Sequence, residues 1–176
     1  MTGINKEHKI LDIGCGADKV EGALGIDRIP RDNVNVVCEL GAPVWPFADG
    51  TFDEIHAIHV MEHMDDPLHF MNEIHRVGKP GCRVVIRTPH KSHIESFRDP
   101  THKFHFVLET FDYFNGSDDL NKLYGQKPFN IIKKDVLRIS KPGRWICDLF
   151  SLRHWERHWS NFFPAKEIEV FLEVSK

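Results

Sequence analysis

"HKILDIGCGADKVEGALGIDR", residues 8–28, is an apolar run that breaks into glycines and resumes at an acid. Lys9-Ile10-Leu11-Asp12-Ile13 reads as a short buried strand, and Gly14 and Gly16 follow at once. Glycines there let the backbone turn sharply and bring its N–H groups close to a ligand. A dinucleotide fingerprint requires a third glycine, but position 19 is Lys19, so that pattern is absent. A second strand ends at Gly25-Ile26-Asp27 and sets a carboxylate where a ribose can be gripped through two hydroxyls. Taken alone, the two glycines fit a tight turn that holds nothing equally well. The rest of the chain decides.

The chain has 176 residues, enough for one well-buried core and too few for two ordinary domains. Its hydrophobic fraction of 41% and charged fraction of 28% are those of a soluble globular protein. A net charge of -3 supplies no basic footprint for autonomous nucleic-acid binding and no polybasic membrane anchor. No apolar stretch approaches a membrane span, and the N-terminus lacks the apolar region of a signal peptide. Cys15, Cys38, Cys82 and Cys147 are far apart, with no C-x-x-C pair, and read as reduced thiols of a cytoplasmic protein. The unusual counts are 12 histidines and 13 phenylalanines.

Strands are expected at 8–14, 22–27, 34–40, 52–60, 82–89, 129–140 and 165–176. Between the fourth and fifth, Leu68, Met71, Ile74 and Val77 recur at the spacing of one helix face. Asp65 or Asp66 caps that helix, and Gly78 or Pro80-Gly81 ends it. Apolar strands alternating with helices imply an α/β fold with a parallel sheet and right-handed crossovers. The sharp alternation of the last strand suits an antiparallel edge. Only Ala17 to Gly22 separate the glycine turn from the second strand, about one and a half helical turns. Residues 90–106 read as a long polar loop rich in histidine and aromatics. A helix is expected from Leu108 across 107–123, and a covering helix within 148–164.

"LDIGCG" (11–16), "WPFADGTFDEI" (45–55), "HVMEHMDDP" (59–67) and "EIHRVGKPGCRVVIRTP" (73–89) stand in a telling order. In these stretches the sequence resembles the class I S-adenosylmethionine-dependent methyltransferases, as a small, trimmed member of the methyltransferase-11-like group. The match covers residues 8–89 well and the remainder poorly. It implies a Rossmann-like, doubly wound, seven-stranded sheet with its last strand antiparallel and its N-terminal helices shortened. One domain is implied over 1–176. Residues 8–89 form its cofactor-binding core, 90–164 its lid and acceptor region, and 165–176 its last strand.

The resemblance also implies roles. Gly14, Cys15 and Gly16 face the methionine part of S-adenosyl-L-methionine, and Asp12 helps to hold its ammonium end. Asp27, with Arg28 beside it, accepts the ribose hydroxyls, since an ionised carboxylate offers two acceptor oxygens. Glu39 and Leu40 lie near the adenine, although aspartate is frequent where Glu39 stands. Ile58 and His59 border the sulfonium. A methyl donor without phosphates needs neither a third glycine nor a long helix dipole.

Two readings of His59-x-x-Glu62-His63 stand. In many family members Glu-His at this place is structural. In ubiquinone-pathway O-methyltransferases and small-RNA 2′-O-methyltransferases, Glu-x-x-Glu-His binds a divalent metal with a further histidine from after the fifth strand. Here the expected metal set is His59, Glu62, His63 and His90, with His93, His102 or His105 as alternatives for the last ligand. Two or more imidazoles favour zinc or a similar transition metal over magnesium. As a loop over the carboxyl ends of the strands, residues 99–106 line the acceptor pocket. His102 or His105 is then a general base, with His59 and His63 as further catalytic candidates.

The activity implied is methyl transfer to an oxygen or nitrogen of a small polar acceptor. A catalytically inactive module that binds the cofactor or a partner protein is the alternative. Intact Asp12, Gly14, Gly16 and Asp27 favour the enzyme.

Overall fold

The computed structural model describes residues 8–115, 123 and 125–176. Seven strands form one sheet: β1 (Ile10–Ile13), β2 (Leu24–Asp27), β3 (Val36–Val37), β4 (Phe52–Ile58), β5 (Gly78–Pro89), β6 (Phe129–Leu137) and β7 (Glu167–Val174). Their order is β3-β2-β1-β4-β5-β7-β6. The first five pair in parallel, and β7 runs antiparallel to both β5 and β6. This is the α/β arrangement expected from the sequence.

Strand alternation separates the two faces. Ile168, Val170, Leu172 and Val174 of β7 are buried, while Glu169, Phe171 and Glu173 between them are half-buried. The apolar face, with Leu11, Ile13, Ile55, Val84 and Ile86, shares one core with Phe70, Met71 and Ile74 of α1 (Pro67–Val77). The other face satisfies its charges by pairing. Arg87 Nη2 donates to Glu169 Oε1 at 2.5 Å, His56 pairs with Glu54 at 2.7 Å, and the Arg83 guanidinium lies 5.6 Å from the Phe171 ring centre.

Asp66 starts α1 by accepting the N–H groups of Leu68 and His69, both at 2.9 Å, and Pro67 gives up no hydrogen bond in the first turn. Buried Glu73 on α1 accepts the Trp45 N–H at 2.7 Å and both arms of Arg76, which also donates to Phe47 O. Burial pushes the Glu73 carboxyl up, but Arg76 and the Trp45 N–H outweigh it and hold the acid low. That clamp fixes the segment leading into β4. Val77 passes directly into β5, which therefore begins at Gly78 rather than at residue 82, because Gly78 already pairs with Phe52.

Three expectations need correction. β3 is two residues long, not 34–40, because this edge strand meets β2 only at Ile26 and Asp27. The helix expected from Leu108 is a 3₁₀ turn over Leu108–Phe114, and residues 116–122 of that reading lie outside the described residues. Beyond the one-turn helix α2 (Glu95–Arg98), the covering helix of 148–164 is two helices, α3 (Lys141–Leu149) and α4 (Leu152–His158), the first of which begins upstream of that window. Ser140 and Ser151 cap them by accepting the N–H groups of Gly143 and His154, and the second cap restarts the chain after Phe150.

Candidate active site

The turn after β1 is left-handed at two positions, with φ of +62° at Gly14 and +51° at Gly16. A Cβ on Gly14 would lie 2.4 Å from Val60 Cγ2, so glycine lets the turn lie against the chain leaving β4. Asp27 closes the turn from β2. Its Oδ2 accepts the Gly16 N–H at 3.0 Å and its Oδ1 the Ile29 N–H at 2.9 Å. Asp12, 4% exposed, accepts the Val20 N–H at 2.8 Å, and burial pushes its pKa above the usual value. Burial likewise raises the Cys15 thiol, which is therefore not a thiolate at neutral pH.

No helix braces residues 14–35; side-chain amides do so instead. Asn33 Nδ2 donates to Gly16 O at 2.8 Å and Ala17 O at 3.1 Å. Asn35 Oδ1 accepts from Gly25 N–H at 2.8 Å and Lys19 Nζ at 2.7 Å. Sequence reasoning missed both, though two asparagines just before an edge strand are a turn signal.

Three clefts meet here. One of about 620 Å³ is lined by Asp12, Gly14, Cys15, Gly16, Ile58 and His59. A second, of about 260 Å³, is lined by Gly14, Asp27, Arg28, Glu39, Leu40, His59 and His63. The third, of about 470 Å³, has Ile58, His59, Glu62, His63 and His102 on its walls, with Arg87, Arg138 and Lys166. His59 borders all three. Its φ of +56° places a non-glycine residue in the left-handed region, a strain of about 1–3 kcal/mol that concentrates at functional sites. Its N–H donates to Arg87 O at 2.8 Å, and its ring lies 3.3 Å from Glu62 Oε1 and 3.7 Å from Glu167 Oε1.

Glu62 and His63 sit on a 3₁₀ turn, Met61–His63. Glu62, 1% exposed, accepts the Thr88 hydroxyl at 3.1 Å, and its carbonyl accepts the Lys103 N–H at 2.8 Å. His63 Nδ1 lies 2.9 Å from Thr101 Oγ1, whose hydroxyl donates to Asp99 Oδ1 at 2.7 Å. That hydroxyl bond, with the Thr101 N–H, holds the Asp99 carboxyl below its usual range. His102 Nδ1 lies 3.0 Å from Ser96 O, a carbonyl that only accepts, so Nδ1 carries the proton there. The His63 and His102 rings meet edge to face at 4.7 Å. One ligand atom from each of Glu62, His63 and His102 falls within 4.8 Å of the others.

Four of the candidate histidines lie outside this group of three, among them His59, whose ring faces Glu62 and Glu167. His90 is fully buried, paired with Ser92 Oγ at 2.7 Å and Glu156 Oε1 at 3.0 Å. His105 pairs with Ser96 Oγ at 2.9 Å and lies against Phe97. His93 accepts the Glu95 N–H. Asp99 and Thr101 were missed, although Asp-Pro-Thr is the signature of a turn in which Asp accepts the N–H two residues on, as it does here at 2.8 Å.

The model of the methyltransferase domain family matches residues 2–173. The chain belongs to this family. The chain is 34% identical over 106 residues to the methyltransferase GfsG of Streptomyces halstedii, covering 47% of this chain and 38% of that one. It is 30% identical over 122 residues to cycloartenol-C-24-methyltransferase 1 of Oryza sativa, covering 68% and 32%. The chain thus spans about a third of the length of these curated relatives. Its fold is similar to that of the YcgJ protein of Bacillus subtilis, with a TM-score of 0.61 at 18% identity over 97% of this chain and 93% of that one.

Proposed function

We propose that this methyltransferase domain moves the methyl group of S-adenosylmethionine to an oxygen or nitrogen of a small acceptor. The observation that carries this reading is the meeting of three clefts at His59. The methionine part of the cofactor lies along Asp12, Gly14, Cys15 and Gly16, and the ribose hydroxyls go to Asp27, whose two oxygens keep lone pairs beyond the bonds they already accept. Glu39 and Leu40 face the adenine, with Arg28 at the rim. The sulfonium faces Ile58 and His59. The acceptor takes the third cleft, over which residues 90–115 form the wall and lid.

The acceptor atom attacks the methyl carbon as the carbon–sulfur bond breaks, and that electron pair stays on sulfur as a neutral thioether. The proton lost by the acceptor passes to Nε2 of His63. Since the sulfonium is already activated, the protein supplies alignment, desolvation and proton removal.

The grouping of Glu62, His63 and His102 favours a second reading, in which these three hold a divalent cation. The donor set fits one of the zinc type. It offers a carboxylate and two imidazoles whose Nδ1 atoms are engaged by Thr101 and Ser96, as metal-ligating histidines are commonly anchored. Such an ion would supply Lewis acidity toward an acceptor hydroxyl.

Incubation with methyl-labelled S-adenosylmethionine and a metabolite extract tests the activity, and a parallel sample with chelator tests the ion. A labelled product supports the reading. No product from any extract, with the cofactor shown to be intact, overturns it.

A further inference from the structure

β6 and β7 are joined by residues 138–166, which carry α3 and α4 and reach back to the acceptor cleft at both ends. The inner side of this insertion is firmly anchored. Trp155 is fully buried against His90, donates Nε1–H to Phe163 O at 3.1 Å, and is joined in the core by Ile146 and Cys147. The outer side is unusual. Trp145 is 65% exposed, Leu149 55%, Phe150 60%, Trp159 39% and Phe162 75%. Trp145 and Leu149, four residues apart, share the face of α3 opposite buried Gly143 and Cys147.

Single exposed apolar residues need no explanation, but a cluster of large ones marks an interaction surface. Charge identifies its partner. The whole chain has a net charge of -3, yet the insertion carries Arg138, Lys141, Arg144, Arg153, Arg157 and Lys166 against exposed Asp148 and buried Glu156. Arg138 pairs with Glu167 and Arg144 with Asp135, Arg153 and Arg157 share the one carboxylate of Glu109, and Lys141 has no ion pair among the described residues. Tryptophan and phenylalanine set among lysine and arginine on short helices is the composition of an element that lies in a lipid headgroup layer. No helix among the described residues is long and apolar enough to cross a membrane, so contact is with the surface.

We propose that the β6–β7 insertion docks this protein on an anionic lipid bilayer, with Trp145, Leu149, Phe150 and Phe162 entering the headgroup layer and Lys141 and Arg153 meeting lipid charge. The neck of the insertion, where the Lys166 N–H donates to Leu137 O at 3.2 Å, places Arg138 and Lys166 on the acceptor cleft.

The test is flotation of the 176-residue chain with phosphatidylcholine vesicles, with and without phosphatidylserine, with no cofactor added. The chain is expected to float with the anionic vesicles and to show a blue shift of its tryptophan emission. Lys141→Glu should weaken partitioning about fivefold or more, and Trp145→Ser with Phe162→Ser should abolish the shift. All three side chains are exposed, and circular dichroism checks that the variants stay folded. A chain that remains in the aqueous phase overturns the proposal, as does binding that these variants leave unchanged. Self-association that Trp145→Ser removes, in a chain that ignores vesicles, assigns the surface to a second copy and overturns it too. Because vesicle binding needs no methyl donor, its failure is distinct from failure of the enzymatic reading.

Discussion

His63 donates its Nδ1 proton to Thr101 Oγ1 across 2.9 Å, because the Thr101 hydroxyl gives its own proton to Asp99. A hydroxyl that donates to a carboxylate can only accept from the ring, so the neutral imidazole keeps its lone pair on Nε2. The relay thus determines which nitrogen of His63 is available as a base or a ligand.

Thr101→Val should release that choice. Nitrogen-detected NMR of the ring, recorded with chelator present, is expected to report Nδ1–H in the unmodified protein and a mixture of tautomers in the variant. Thr101→Ser should restore the original signature. An unchanged tautomer in Thr101→Val would separate His63 from the relay.

Gly14→Ala should be costly. The new Cβ meets Val60 at 2.4 Å and sits at φ +62°, so the turn must shift. Backbone strain alone accounts for about 1–3 kcal/mol. Thermal unfolding should show the loss, with cofactor affinity falling as well. Unaltered stability would mean that the turn has room it does not show.

The glycine turn, Asp27 and α1 were legible because each rests on local chemistry: left-handed φ, a strand-end carboxylate, and an Asp-Pro cap before an apolar face. The antiparallel β7 was legible from alternation that buries Ile168, Val170 and Leu172 and leaves Glu169 and Phe171 partly exposed. What escaped depends on distant partners. Nothing near His90 announces that it meets Glu156, 66 residues away, nor does His102 announce that its ring meets that of His63. The split between α3 and α4 was signalled by Ser151, but the aromatics spaced at helical intervals across 148–164 concealed it. β3 was overread because an apolar run alone does not reveal that its strand lies at an edge.

His75 gives the fold an acid sensitivity. Its ring is buried edge-on to Phe129, Nε2 lies 2.9 Å from Ser175 O, and burial holds its pKa below the ordinary 6.5. The unfolded chain takes up this proton near 6.5 while the folded one resists it. Stability therefore holds above that value and falls as pH drops below it. Urea midpoints at about pH 7.5 and about pH 5.5 should differ, and His75→Asn should reduce the difference. A slope that the variant leaves intact would place the sensitivity elsewhere.

Cobalt serves as a visible probe of the Glu62–His63–His102 group. Tetrahedral absorption should appear on titration and vanish in His102→Ala, with cofactor binding nearly preserved. A colourless titration with full activity in chelator would leave these residues to position the turn and remove a proton without an ion.

In the proposed function, the Gly14–Gly16 turn and Asp27 hold S-adenosylmethionine. Calorimetric titration of the cofactor into the purified chain measures this directly. One molecule should bind per chain, and Asp27→Ala should weaken it by about 1.5–3 kcal/mol, the value of hydrogen bonds to a charged acceptor. Binding that Asp27→Ala leaves unchanged, or no binding by the unmodified chain, would contradict the account.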